Sequence, residues 1–193
     1  MKKIILFAIC ILMMIPSTNV SAAKSYKKLY KKFLSQATVK AGKEQISTDW
    51  YYILNIDKKK KPELIIADVQ SEPNAAKYYV YTVSKNKVKY IGSCWTRGID
   101  PSAPYIQYSS KNKGIIGGWW TNGIAGSGAV MFQIKNNKIK QTRYAYESNK
   151  SFNDATRVYE IKKSGHYVSE KKYNSYIKKY FNLSKTYQMK KNK

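Results

Sequence analysis

Residues 49–70 read DWYYILNIDKKKKPELIIADVQ, and the fold follows from that stretch. Trp50, Tyr51, Tyr52, Ile53 and Leu54 form an aromatic and β-branched run, and Leu64, Ile65 and Ile66 form a second. Such runs fit a pleated, half-buried surface, and the polar segment Lys58 to Pro62 between them marks a reversal of the chain. The expectation is a β-hairpin with a long turn, serving as the centre of the core.

Working outward, further strand-like runs are bounded by turn signals: Lys77 to Val83, Lys87 to Cys94, Tyr105 to Ser109, Gly114 to Thr121, Ala129 to Ile134, Lys138 to Tyr146 and Thr156 to Lys162. Ser84-Lys85-Asn86-Lys87 and Lys135-Asn136-Asn137-Lys138 place Asn where a hairpin turn needs positive φ, so their flanking strands should pair antiparallel. Tyrosines recur at alternate positions in two of these runs, which puts their rings on one face of a sheet.

The ends of the chain carry the 3.6-residue period instead. Tyr26, Leu29, Tyr30, Phe33, Leu34 and Ala37 share one helical face, predicting a helix over Lys24 to Lys40 with Ser25 as its cap and Ala41-Gly42 as its stop. Near the other end Tyr173, Tyr176, Ile177, Tyr180 and Phe181 share a face, with Ser169 as N-cap and Glu170 in the first turn. The predicted class is α+β: an antiparallel meander or partly closed barrel of about eight strands, with amphipathic helices at both ends.

Residues 1–23 read as a secretory signal peptide. Lys2 and Lys3 form the basic region, Ile4 to Ile15 the apolar region, and small residues up to Ala22 and Ala23 the cleavage site. Roughly 12 apolar residues fall short of the ~20 that span a bilayer, so no transmembrane segment is expected after cleavage. The remainder divides into one α+β domain over 24–182 and a basic tail over 183–193. Cleavage also removes Cys10, leaving Cys94 without a disulfide partner.

The formal net charge is +25, from 36 Lys and Arg against 11 Asp and Glu. Loss of Lys2 and Lys3 lowers it only to +23. A secreted chain of that charge attracts polyanions: envelope polymers, acidic glycans, anionic lipid surfaces and nucleic acid.

The turn of the central hairpin, Asn55-Ile56-Asp57-Lys58-Lys59-Lys60-Lys61-Pro62-Glu63-Leu64, is similar to the DxDGDGxxEL stretch of many small secreted proteins of Gram-positive bacteria. In those proteins alternating carboxylates and glycines form a calcium loop between two strands. Here Asn55 and Asp57 would hold the first two ligand positions, Glu63 falls in the matching Pro-Glu-Leu, Lys59 stands at the third acid and Lys58 and Lys60 replace glycines. A hard cation wants about six oxygen ligands, and four consecutive ammonium groups oppose it. The loop reads as a degenerate one, with no metal and no other cofactor. The resemblance spans some fifteen residues, with a weaker echo in Tyr-Val-Ser-Glu-Lys-Lys-Tyr, and implies a secreted, sheet-centred domain without implying an activity.

Two further stretches bear on chemistry. Gly92-Ser93-Cys94-Trp95 shares part of the papain-like nucleophile signature, and His166 is the sole histidine, so Cys94 with His166 is the one testable dyad. The competing reading is a buried strand cysteine. Residues 114–128 gather six of the ten glycines beside Trp119 and Trp120. These tryptophans would stack on sugars from a glycine loop, or else the glycines permit close strand packing around large rings. With one His and scattered acids, neither a zinc site nor a carboxylate pair is expected.

The expected function is therefore a secreted or cell-surface, non-enzymatic and strongly basic binding protein of the bacterial envelope or extracellular space. Lys58, Lys59, Lys60 and Lys61, with Trp119 and Trp120, would contact an anionic polymer or glycan. A protein partner comes second and nucleic acid third. The alternatives are a cysteine-dependent enzyme using Cys94 and His166, or a membrane-active cationic protein.

Overall fold

The computed structural model describes residues 18–69, 75–97, 102–121, 126–162, 165–181 and 185–192, with the side chains of 18–25, 97 and 119–121 left aside. Most of the predicted leader, residues 1–17, lies outside the described residues.

The described chain is mostly β, with two helices and antiparallel sheets. Helix α1 covers Thr18–Leu34, followed by strands β1 (Thr38–Ala41), β2 (Glu44–Ser47), β3 (Trp50–Leu54), β4 (Glu63–Asp68), β5 (Ala75–Ser84) and β6 (Lys87–Arg97). Then come β7 (Tyr105–Ser109), β8 (Gly114–Thr121), β9 (Gly126–Lys135), β10 (Lys138–Ser151), β11 (Asp154–Ile161), helix α2 (Glu170–Tyr180), β12 (Lys185–Gln188) and β13 (Lys190–Lys191).

The predicted hairpin is β3–β4, in register from Trp50 opposite Ala67 to Leu54 opposite Glu63. It sits inside a five-stranded sheet of order β13-β3-β4-β5-β6, while a six-stranded sheet has order β11-β10-β9-β8-β7-β12 and β1–β2 form a separate hairpin. Instead of one meander or a partly closed barrel of about eight strands, the described strands thus form three open antiparallel sheets. The two polar turns do what their asparagines require: Lys85 and Asn86, and Asn136 and Asn137, all have positive φ.

Alternation along β4 explains the layering. Ile65 and Ala67 point into a core shared with the six-stranded sheet, where they join Tyr78, Val80, Ile106, Ile115, Val130 and Phe132. Leu64 and Ile66 point the other way, into a core with Tyr79, Tyr81, Val83 and, from α1, Tyr30 and Leu34. A strand buried on both faces reads as continuously apolar, which is why Leu64 to Ala67 carries no polar residue. A third, smaller core joins Ala145 and Ile161 of the six-stranded sheet to Tyr173 and Tyr176 of α2. The order is helix, sheet, sheet, helix.

Helix α2 and its cap match the sequence reading, since Ser169 accepts from the Lys172 backbone N–H and the helix ends at Tyr180. Helix α1 does not match. It ends at Leu34 and not near Lys40, because Val39 and Ala41 are needed as the inward-facing residues of β1, and Gly42 supplies the positive φ of the β1–β2 turn. Ser25 lies inside the helix and not at its start.

The predicted basic tail is also corrected. Lys185–Gln188 pair with Tyr105–Tyr108 on the edge of the six-stranded sheet, and Lys190–Lys191 pair with Trp50–Tyr51 on the edge of the five-stranded one. Between them Met189 is buried in the inter-sheet core, and its N–H donates to the Pro104 carbonyl at 3.0 Å. Charge dominates the composition of the segment, but alternate tyrosine and methionine positions supply the burial that orders it.

Candidate functional site

The β3–β4 turn folds on its own side chains. Asn55 Nδ2 donates to the Lys59 carbonyl at 2.6 Å, and the Lys59 N–H donates to Asp57 Oδ1 at 3.0 Å. The Lys59 ammonium meets Asp57 Oδ2 at 2.9 Å, and that carboxylate holds it above the ordinary lysine range. Lys58 adopts φ 59°, the left-handed conformation that glycine takes up most readily. From outside, Tyr30 donates to the Pro62 carbonyl at 2.8 Å and Tyr108 to the Ile56 carbonyl at 3.0 Å.

The donor set does not fit calcium. Asn55 and Asp57 are committed to Lys59, whose ammonium supplies the positive charge from within the loop, and Glu63 is turned into the core. Among the described residues no group of three or more His, Cys, Asp or Glu gathers.

Glu63 is 3 % exposed, and its Oε2 accepts the Ile56 N–H at 2.9 Å. Burial pushes its carboxyl up to about 7, with Asp57 adding to the rise and the Ile56 N–H opposing it. The folded protein therefore keeps this proton up to about pH 7, whereas the unfolded chain releases it near pH 4.5. Across that window the folded state binds more protons, so stability falls as pH rises, by roughly 3 kcal/mol in all. Glu63→Gln keeps an acceptor for Ile56 and removes the proton. Denaturant midpoints of the two proteins should move apart between about pH 4.5 and 8, in the variant's favour, by roughly that amount. A constant gap would show that Glu63 is not desolvated.

The turn forms one lip of a cleft of about 510 Å³. Val83, Ile91 and Ile134 make its apolar wall and Asp57, Glu63 and Lys58 to Lys61 its charged one. Lys58, Lys59 and Lys60 are exposed and Lys61 is half-buried. The structure therefore gathers the four predicted lysines at one opening, with Lys59 engaged by Asp57.

Trp119 and Trp120 stand opposite Gly128 and Ser127 in the β8–β9 pairing, and their side chains lie outside the described set. The nearby glycines serve close packing. A Cβ on Gly117 would lie 2.2 Å from the Trp95 carbonyl oxygen of the facing sheet, and the Gly118 N–H donates to Thr96 Oγ1 across the same gap at 3.1 Å. Cys94 is 1 % exposed in the inter-sheet core, and burial pushes its thiol far up. His166 is exposed in the segment before α2. A buried protonated thiol is a packing residue, not a nucleophile.

One cluster escaped the sequence reading. Where β10 meets α2 there is a second cleft of about 480 Å³, lined by Arg143, Tyr144, Lys162, Tyr176 and Tyr180 with Gln141. The β9–β10 register slips between Gln141 and Arg143, and such a bulge re-aims the side chains beside it. The Arg143 guanidinium lies 4.6 Å from the Tyr180 ring centroid and donates to the Thr142 carbonyl at 2.8 Å. Lys162 takes φ 69° just past β11. The signals in sequence were the alternating tyrosines of Lys138 to Tyr146 and the tyrosine face of α2, but nothing in sequence pairs the two.

No protein family, curated protein or solved structure matches the chain. No helix among the described residues is long and apolar enough to cross a membrane.

Proposed function

We propose that the protein is a secreted, non-enzymatic binding protein of the bacterial envelope or extracellular space that holds an anionic polymer or glycan. The observation that carries this reading is the β3–β4 turn. Lys59 neutralises Asp57 inside the loop, which leaves Lys58, Lys60 and Lys61 at the mouth of a cleft with apolar walls. Ammonium groups there meet a phosphate or carboxylate backbone, and Val83, Ile91 and Ile134 meet its carbon skeleton. The charge of +25 supplies long-range attraction to the same ligand. The leader over residues 1–23 delivers the protein to that compartment.

The test is retention on immobilised poly(glycerol phosphate), neutral glycan and DNA at low and high salt. Retention should be strongest on the wall-type polyanion and fall with salt, and changing Lys58, Lys60 and Lys61 together to Gln should flatten the salt dependence by about two to three released counterions. Equal retention of wild type and triple variant would remove the loop from the interface. Failure on all three matrices at low salt would reject the anionic-ligand reading and leave a protein partner.

A further inference from the structure

The second cleft is built differently from the first. Its lining includes two cations, Arg143 and Lys162, and no acid among the described residues. Lys179 adds a third cation at its rim, 5.1 Å from the Tyr180 ring centroid. Together Lys179, Arg143 and Lys162 hold the Tyr180 phenol below its usual range, with a hydrogen bond from Lys179 as the main cause. Positive charges converge on one point of the cleft wall.

Two features show that this convergence is organised. Arg143 is held by the bulge behind it, by its bond to the Thr142 carbonyl and by the face of Tyr180, so its fork is oriented before any ligand arrives. Tyr176 lines the same cleft and is 9 % exposed, yet its buried hydroxyl has no hydrogen-bond partner. Burial holds this phenol above its usual range, and the Arg143 charge and the nearby Tyr144 backbone amide offset only part of that rise, the amide without making a hydrogen bond. A buried phenol left unpaired is costly, and an acceptor entering the cleft would satisfy it.

We propose that this cleft binds one oxyanion group, a phosphate or a carboxylate, borne on a monosaccharide-sized ligand. Arg143 and Lys162 take the charge, the Tyr176 hydroxyl donates to an oxyanion oxygen, and Tyr180 flanks the sugar. The volume of about 480 Å³ suits a ligand of that size. The aromatic walls favour a ring over a bare ion. The inference does not rest on the lysine turn, because the residues that carry it lie on β10, α2 and the end of β11.

The experiment is calorimetric titration of the full chain with glucose 6-phosphate, glucuronate and glucose. At least one of the two anionic sugars should bind about tenfold or more tightly than glucose, and which one does so identifies the oxyanion. Arg143→Gln should weaken that binding about tenfold or more, and Arg143→Lys should recover part of it, since charge is restored without the fork. Tyr176→Phe should weaken it about three- to tenfold without lowering the melting temperature, because no internal hydrogen bond is lost. The triple lysine variant of the β3–β4 turn should bind as wild type does. Binding of glucose as tight as that of the anionic sugars, no binding of either anion at about 10 mM, or undiminished binding in Arg143→Gln would each overturn the proposal. None of these outcomes bears on retention by a long polyanion at the lysine turn.

Discussion

Deleting residues 185–193 should remove cooperative folding. The deletion strips β12 from the edge of the six-stranded sheet, β13 from the edge of the five-stranded sheet and Met189 from the core between them. It also removes Asn192, whose Nδ2 donates to the Leu34 carbonyl at 2.7 Å and to Thr48 Oγ1 at 3.2 Å, and whose N–H donates to the Asp49 carbonyl at 2.6 Å. Truncating a buried Met to Ala alone costs about 2–5 kcal/mol. Adding six lost strand pairings and the Asn192 bonds brings the sum to the order of a whole domain's stability, about 5–15 kcal/mol. The truncated chain should show a broad, non-cooperative melt, and full-length Met189→Ala a sharp melt at lower temperature. A truncated protein that melts sharply within a few degrees of wild type would mean that the segment is the loose tail its composition resembles.

The second large effect is expected at Gly117. A methyl group there would sit 2.2 Å from the Trp95 carbonyl oxygen and 3.1 Å from both Phe132 and Val130. The oxygen belongs to backbone in the middle of the sandwich, so the sheets themselves must part. Overpacking usually costs about 1–3 kcal/mol, and a clash with backbone falls at or above the top of that range. Gly117→Ala should thus lower the melting temperature by about 6–12 °C at the 2–4 °C per kcal/mol of a domain this size. Gly118→Ala is the control. Its Cβ meets only the Gly128 carbonyl at 3.5 Å, an ordinary contact, and should cost under about 1 kcal/mol. Equal effects at the two positions would show that the approach to the Trp95 carbonyl is not what requires glycine at 117.

The nine runs read as strands are all strands, because each carried its own period and its own turn residues, from Trp50–Leu54 to Asp154–Ile161. Division into sheets was not legible. Whether Lys87–Arg97 pairs onward with Tyr105–Ser109 or starts a facing layer depends on packing across the sandwich, and both sides look alike in sequence. The short strands β1, β2, β12 and β13 were missed for a related reason. Runs of two to four residues are too short to show a period of their own: β1 and β2 are ordered by pairing with each other, and the lysine-bearing β12 and β13 by edge pairing with the distant β7 and β3. The same limit governs the clefts. The lysines of the β3–β4 turn are contiguous, so their gathering was visible, whereas Arg143, Lys162 and Tyr176 converge only after β10, β11 and α2 are in place.

The bond from Asn192 to Leu34 joins residues 158 positions apart. Every strand that the β12–β13 segment ties together precedes it on the chain, so neither sheet edge can close while those strands are first made. Contacts of such separation slow folding and lengthen the time a chain spends open. On the export reading proposed above, that open interval is the one in which a chain is threaded across a membrane. The β12–β13 segment is then a latch that joins both sheet edges at once.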